Sequence, residues 1–204
     1  MTDDPGSLAG FLALAASVGV VHTLVGPDHY LLIGAWAKVR KAGWRVVMSF
    51  TLLAGLLHCA TSAIVVFASL WLLDGSAALL GLETLRGDIL AWALVAIGIA
   101  WAISGWRRRH AAPDDAQPPM RPWLLALFAL GPCEWLLPNA LAASASHGWQ
   151  GAALVIAVFT FATVATMLVC VAATVKLPVP RKLVGPMMPG IVTFACGLMV
   201  LIGL

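Results

Sequence analysis

Long apolar runs dominate the chain, and short polar segments separate them. Six runs can be recognised, at about residues 8–37, 46–73, 89–106, 123–143, 149–175 and 187–204. A helix needs about 20 mostly apolar residues to cross a bilayer. The apolar residues run continuously and do not alternate as they do in the strands of a membrane β-barrel. The pattern therefore predicts an all-α membrane protein with six transmembrane helices.

Two of the runs contain a pair of helix-breaking residues, Gly26-Pro27 in the first and Gly131-Pro132 in the fourth. Proline removes a backbone donor and glycine permits a bend, so we predict that helices one and four are broken. The pairs occupy matching positions three helices apart, which predicts two inverted three-helix repeats, about 8–106 and about 122–204. A cytoplasmic linker at about 107–121 joins them. The whole chain, 1–204, is expected to be a single polytopic membrane domain.

The basic residues alternate between the loops. Eleven of the 12 lysines and arginines fall in three alternate loops, namely Lys38, Arg40, Lys41, Arg45, Arg107, Arg108, Arg109, Arg121, Lys176, Arg181 and Lys182. The exception, Arg86, shares its predicted loop with Asp74, Glu83 and Asp88. Basic loops face the cytoplasm, so both termini are predicted to lie outside it. The first residues carry no positive charge, and no secretory signal peptide is expected.

The composition narrows the class of protein further. Apolar residues make up 61% of the chain and charged residues 10%, against roughly 25% charged in a soluble domain. These values exclude a soluble globular protein and a disordered protein, and they predict the lipid bilayer as the surroundings. The net charge of +3 gives no reason to expect a nucleic-acid partner. All four cysteines lie within apolar segments with no close pair, so no disulfide framework is expected.

Ionisable side chains inside the predicted helices are the candidate functional residues, since each costs several kcal/mol in hydrocarbon. His22, His58 and the pair Cys133-Glu134 lie near the middle of their runs, and therefore at a similar depth. Imidazole, carboxylate and thiolate groups suit nickel, cobalt or zinc. No lysine or arginine lies at the centre of a run, which argues against an anion site. The predicted metal ligands are His22, Asp28, His29, His58, Cys133 and Glu134.

The spacing of the first two histidines leaves two arrangements open. His22 and His29 are seven residues apart, which is about 10 Å along a straight helix and too far to share one ion. Either the Gly26-Pro27 break folds His29 back toward His22, or the two histidines serve successive stations on a path. Cys59, Cys170 and Cys196 are expected to be apolar packing residues.

Two short motifs carry a resemblance to known families. Residues 22–29, His-Thr-Leu-Val-Gly-Pro-Asp-His, resemble the histidine and Asp-His motif in an early helix of nickel/cobalt transporters and their urease-accessory relatives. The Gly131-Pro132-Cys133 turn is similar to a Gly-Pro-Cys element in thiol-redox and exporter families of the same lysine-exporter-like superfamily. The resemblance implies transition-metal transport in a bacterial plasma membrane, with His22, Asp28 and His29 as metal ligands.

The expected function is that of a secondary transporter, either a permease or an exporter, for a divalent transition metal such as nickel or cobalt. The metal would be cargo, so no permanently bound cofactor and no enzymatic activity are expected. No nucleotide-binding Gly-x4-Gly-Lys motif is present. A metal-delivery protein or a homo-oligomer remains open as a partner. Two alternatives stand: a transmembrane thiol-disulfide electron carrier acting through Cys133, and a protein that binds haem through histidines on two helices.

Overall fold

The computed structural model describes residues 7–71, 76–107, 120–131, 133, 135–178, 185 and 187–202. All regular structure in these residues is helical, which confirms the predicted all-α class. The helices, in chain order, are α1 (Leu8–Val25), α2 (Asp28–Arg40), α3 (Trp44–Trp71), α4 (Ser76–Arg107), α5 (Met120–Leu130), α6 (Leu136–Lys176) and α7 (Met188–Leu201).

Four helical stretches are long and apolar enough to cross a membrane, namely Leu8–Val25, Trp44–Trp71, Thr84–Arg107 and Leu136–Lys176. The shorter helix α7 is also apolar. Large apolar side chains cover the outside of these helices, as shown by Phe161 at 78% and Ile64 at 68% exposure. An apolar exterior of this extent is unfavourable in water and favourable in lipid. These properties are those of a helical membrane protein.

The first predicted break separates α1 from α2. Helix α1 ends at Val25, and the backbone N–H of Gly26 donates to the carbonyl oxygen of His22 at 2.9 Å, which caps the helix. Pro27 then precedes the first residue of α2, Asp28. Proline fits the start of a helix because the first N–H groups there have no partner inside the helix. The chain therefore continues as a second helix after a bend at Gly26-Pro27.

The second break lies between α5 and α6. Helix α5 ends at Leu130, Gly131 is not helical, and α6 begins at Leu136. Helix α6 bends again at His147 and Gly148, where the φ angle of Gly148 is 66°. A positive φ suits glycine because it has no Cβ. The chain after the bend forms the long apolar part of α6.

The start of α4 corrects one prediction. The sequence predicted a polar loop up to about residue 88, but the structure has helix from Ser76 onward, so Arg86 and Asp88 are helical. The alanine, leucine, glutamate and arginine of this segment are good helix formers, and this propensity outweighs its polarity. Helix α4 ends at Arg107 and α5 begins at Met120, close to the two ends predicted for the linker. Residues 108–119 and Asp74 lie outside the described residues.

The helices pack into a bundle with two buried apolar clusters. One cluster includes Leu32, Leu94 and Phe128, and the other includes Leu136 and Phe159. Helix α4 packs on α7 and α1 packs on α6. The predicted histidines of α2 and α3 are both buried, as is Cys133. The candidate site therefore lies inside the bundle, at the meeting point of the two apolar clusters.

Candidate metal centre

Three histidines from three helices converge in the interior. His22 lies in the last turn of α1, His29 at the start of α2 and His58 in α3, and their ligand atoms all lie within 4.8 Å of one another. The ring centroids of His22 and His29 are 4.6 Å apart. A straight helix would separate them by about 10 Å. The bend at Gly26-Pro27 therefore folds His29 back toward His22, the first of the two arrangements left open by the sequence.

The backbone and a carboxylate fix the orientation of His29. Its Nδ1 lies 3.0 Å from the carbonyl oxygen of Gly26 and 3.1 Å from Oδ1 of Asp28. A carbonyl oxygen and an ionised carboxylate can accept hydrogen bonds but cannot donate them. Nδ1 is therefore assigned as the protonated nitrogen, and Nε2 carries the lone pair. Asp28 thus lies behind the imidazole. It orients His29 and does not join the three-histidine cluster.

His58 has the same arrangement on a different helix. Its Nδ1 donates to the carbonyl oxygen of Phe128 at 3.0 Å, so its Nε2 also presents a lone pair to the cluster. The ring is 2% exposed. A Cβ at Gly131 would lie 2.8 Å from the His58 ring, so only glycine leaves room for the imidazole there. The end of α5 therefore both orients His58 and makes space for it.

The two oriented imidazoles face each other. Nε2 of His29 lies 3.3 Å from Nε2 of His58. Two ligand atoms on one tetrahedral ion with bonds of about 2.1 Å lie about 3.4 Å apart. His22 completes the group, and its buried Nε2 has no hydrogen-bond partner among the described residues. The nitrogens of His29 and His58 thus have the spacing of two ligands of a single cation, and a nitrogen of His22 lies within 4.8 Å of both.

A fourth donor comes from the second break. Sγ of Cys133 lies 3.0 Å from Nε2 of His58, and the side chain is 1% exposed. The thiol also hydrogen-bonds the thiol of Cys59, which follows His58 on α3. Cys59 packs in a buried apolar cluster, as predicted, and the structure also places it beside Cys133. Its one sequence signal was its position next to His58. Glu134 and Pro132 lie outside the described residues.

Arg86 supports the second break from α4. Its Nη2 donates to the carbonyl oxygens of Ala129 and Gly131 at 3.1 Å each, and to Oγ1 of Thr61 at 3.2 Å. Thr61 in turn donates to the carbonyl oxygen of His58 at 2.9 Å. A guanidinium presents several donors in a rigid plane and can bind several acceptors at once. The sequence singled out Arg86 only as the one basic residue outside the basic loops and did not predict this role.

A small cavity reaches the cluster from one side. Its polar lining is formed by Asp28, His29 and His58, and leucines from α2, α4 and α5 form most of the rest. Apolar walls with a few convergent polar groups are typical of a ligand site.

Haem is not favoured here, since Sγ of Cys133 and Nε2 of His29 both lie close to the His58 nitrogen that would bind iron.

Comparison with protein-family models, with curated proteins and with solved structures finds no match to the chain. The resemblance to nickel/cobalt transporters therefore rests on residues 22–29, and the resemblance to thiol-redox and exporter families rests on the turn at Cys133. Both motifs reach the cluster.

Proposed function

We propose that the protein is a secondary transporter, a permease or exporter, for a divalent transition-metal ion, with nickel and cobalt as the favoured cargo. The observation that carries this proposal is the 3.3 Å approach of Nε2 of His29 to Nε2 of His58, while the Nδ1 atoms of both rings already donate elsewhere. When both rings are neutral, their Nε2 lone pairs repel at this distance, and a shared cation removes the repulsion. His22 and Cys133 supply further ligands at the same point.

The interrupted helices support a cation as cargo. Helices α1 and α5 both end beside the cluster, close to His22 and to Gly131. The carbonyl end of a helix carries partial negative charge. Broken helices whose carboxyl ends meet at mid-membrane are a recurring way to hold transported cations. Alternating access would then expose the cluster to one side of the membrane at a time.

We further propose six membrane spans, with α1 and α2 as one interrupted span and α5 with the first part of α6 as another. Nζ of Lys38 at the end of α2 donates to the carbonyl oxygen of Leu177 at 2.6 Å, just after α6. Nζ of Lys176 lies 5.6 Å from the ring centre of Trp44 at the start of α3. Two of the basic loops therefore meet at one end of the bundle. This supports a cytoplasmic face at that end and termini on the opposite side. The matching Gly-Pro breaks in α1–α2 and α5–α6 support two inverted repeats.

The resemblance of residues 22–29 to the early helix of nickel/cobalt transporters supports a bacterial plasma membrane as the setting. A metal-delivery protein or a second copy of the chain would be compatible partners.

Metal analysis of the detergent-purified protein tests the proposal. After loading with nickel, cobalt and zinc, the wild type should retain about one ion per chain, and His22→Ala and His58→Ala should each lose it. His147→Ala is the matched control, since His147 lies at the bend of α6 and contacts Phe11 outside the cluster. Equal metal content in all four proteins would contradict the metal site. Metal uptake into proteoliposomes, measured with an enclosed fluorescent chelator, then tests transport.

A thiol-disulfide electron carrier is the second candidate, and the contact between Cys59 and Cys133 favours it. Such a carrier needs two thiols within bonding reach. Forming the disulfide would release two protons and two electrons, which a disulfide-bonded partner protein would accept. Mass spectrometry after thiol alkylation of membranes separates the candidates. A large fraction of Cys59–Cys133 disulfide in growing cells supports the carrier, and fully alkylated thiols support the metal site.

A further inference from the structure

The three histidines and their fourth donor, Cys133, leave the buried thiol of Cys59 without a role. Cys59 and Cys133 are each 1% exposed and belong to the same apolar cluster. The Cys59 thiol lies within hydrogen-bonding reach of the Cys133 thiol and of the side chain of Thr160. Two sulfur atoms and a neighbouring imidazole nitrogen, shielded from water, form a donor set that differs from the three nitrogens.

Cys133 is common to both donor sets, and so is His58. Its Nε2 lies 3.3 Å from Nε2 of His29 and 3.0 Å from Sγ of Cys133. The other ring nitrogen of His58 is already used in the hydrogen bond to Phe128. The single lone pair on Nε2 can bind only one metal ion at a time. An ion bound among the histidines and an ion bound by the thiols must therefore exclude each other.

We propose that Cys59, Cys133 and His58 form a second metal station, specific for soft monovalent ions of the copper(I) and silver(I) class. This inference builds on the proposed metal transport and extends its substrate class. Thiolate ligands favour such ions, whereas imidazole nitrogens suit nickel, cobalt and zinc. The two stations share His58, so the chain holds one ion, which sits toward the histidines or toward the sulfurs according to its chemistry.

A displacement titration of the detergent-purified full chain tests this proposal. The protein is loaded with cobalt(II), whose visible absorption reports its ligands, and silver(I) is added as an air-stable probe. In the wild type, silver should displace cobalt one for one. Cys59→Ser should weaken silver binding by about tenfold, or about 1.4 kcal/mol, and leave cobalt binding unchanged. His29→Ala should do the reverse, because His29 belongs only to the histidine cluster.

Cys196→Ser is the matched control, because Cys196 is equally buried but packs in the other apolar cluster. It should not change silver binding. Cys133→Ser provides a second test of the station if Cys59→Ser does not fold, and it should weaken silver binding as well. Unchanged silver affinity in both folded cysteine variants would overturn the proposal. So would silver and cobalt bound together on one chain.

The two proposals fail in distinguishable ways. A wild type that binds silver through Cys59 but never binds cobalt or nickel contradicts the histidine site and leaves the thiol station standing. A wild type that binds cobalt through His29, with silver affinity that does not depend on Cys59, contradicts the thiol station alone.

Discussion

The guanidinium of Arg86 donates to the carbonyl oxygen of Gly131 at 3.1 Å, across 45 residues of chain. The same nitrogen reaches Thr61, one helical turn after His58. Arg86 therefore connects the support of one proposed ligand, His58, with the segment that carries another, Cys133. An arginine among apolar helices is costly, and the hydrogen bonds that it makes at the break offset that cost.

We expect Arg86→Gln to loosen the position of Cys133 relative to His58. Loss of such an outer partner typically lowers metal affinity about 10- to 100-fold. The sulfur-to-cobalt charge-transfer band should weaken more than the bands from the histidines. Arg86→Lys should retain part of the band, because an ammonium can still reach a carbonyl. Arg107→Gln, on the last residue of α4, is the control. An unchanged charge-transfer band in folded Arg86→Gln would refute this role.

Asp28 should act through His29. Removing the carboxylate in Asp28→Ala frees the imidazole that it orients, and cobalt affinity should fall about 10- to 100-fold. Asp28→Asn keeps a hydrogen-bond acceptor for Nδ1 and should fall less. Cobalt titration of the purified variants measures both effects. If Asp28→Asn lost as much affinity as Asp28→Ala, the charge of Asp28 would matter more than its orienting hydrogen bond.

Gly131→Ala should disturb the His58 ring directly. The new Cβ would lie 2.8 Å from ring atoms of His58, which is too close for either to stay in place. Overpacking of this kind costs about 1–3 kcal/mol, and the displaced ring should also bind metal more weakly. Thermal unfolding and cobalt titration measure the two effects. Gly43→Ala is the control, since no atom lies within 4 Å of its added Cβ. Equal thermal stability and equal cobalt affinity of the two variants would show that the close approach of Gly131 to the His58 ring does not restrict residue size.

The contact of α4 with α7 should be sensitive to side-chain size. A Cβ at Gly98 would lie 2.6 Å from Cα of Phe194, so the two backbones touch with no side chain between them. Gly98→Val should therefore separate the helices and lower the free energy of unfolding by about 1–3 kcal/mol. Gly81→Val lies in open space on the same helix and serves as the control. The melting temperature in detergent reports the difference. An equal decrease in melting temperature for the two variants would argue against a close contact between α4 and α7 at Gly98.

The sequence predicted the helical class because long apolar runs leave few alternatives in lipid. It also located the interruptions, since glycine followed by proline is a strong local signal for a bend. Local signals could not determine the direction of the bend. Gly26 has a ψ of 88°, and the packing of α1 and α2 on other helices decides that His29 meets His22.

Two contributors to the site could not be identified from the chain alone. Cys59 has no spacing motif, and its role depends on a contact with Cys133, 74 residues later in the chain. Arg86 was placed in a loop because its surroundings are polar, although their helix propensity is high. Both roles come from tertiary packing, which a single sequence does not encode in any short window.

The proposed ligands His22 and His29 stand on opposite sides of the bend at Gly26-Pro27. Any change in the angle between α1 and α2 must alter the distance between their rings, now 4.6 Å between centroids. Metal coordination tolerates errors of only about 0.2 Å in bond length. A small change in the angle between α1 and α2 at Gly26-Pro27 would thus convert tight binding into release. The angle at this bend would therefore set the affinity for the ion.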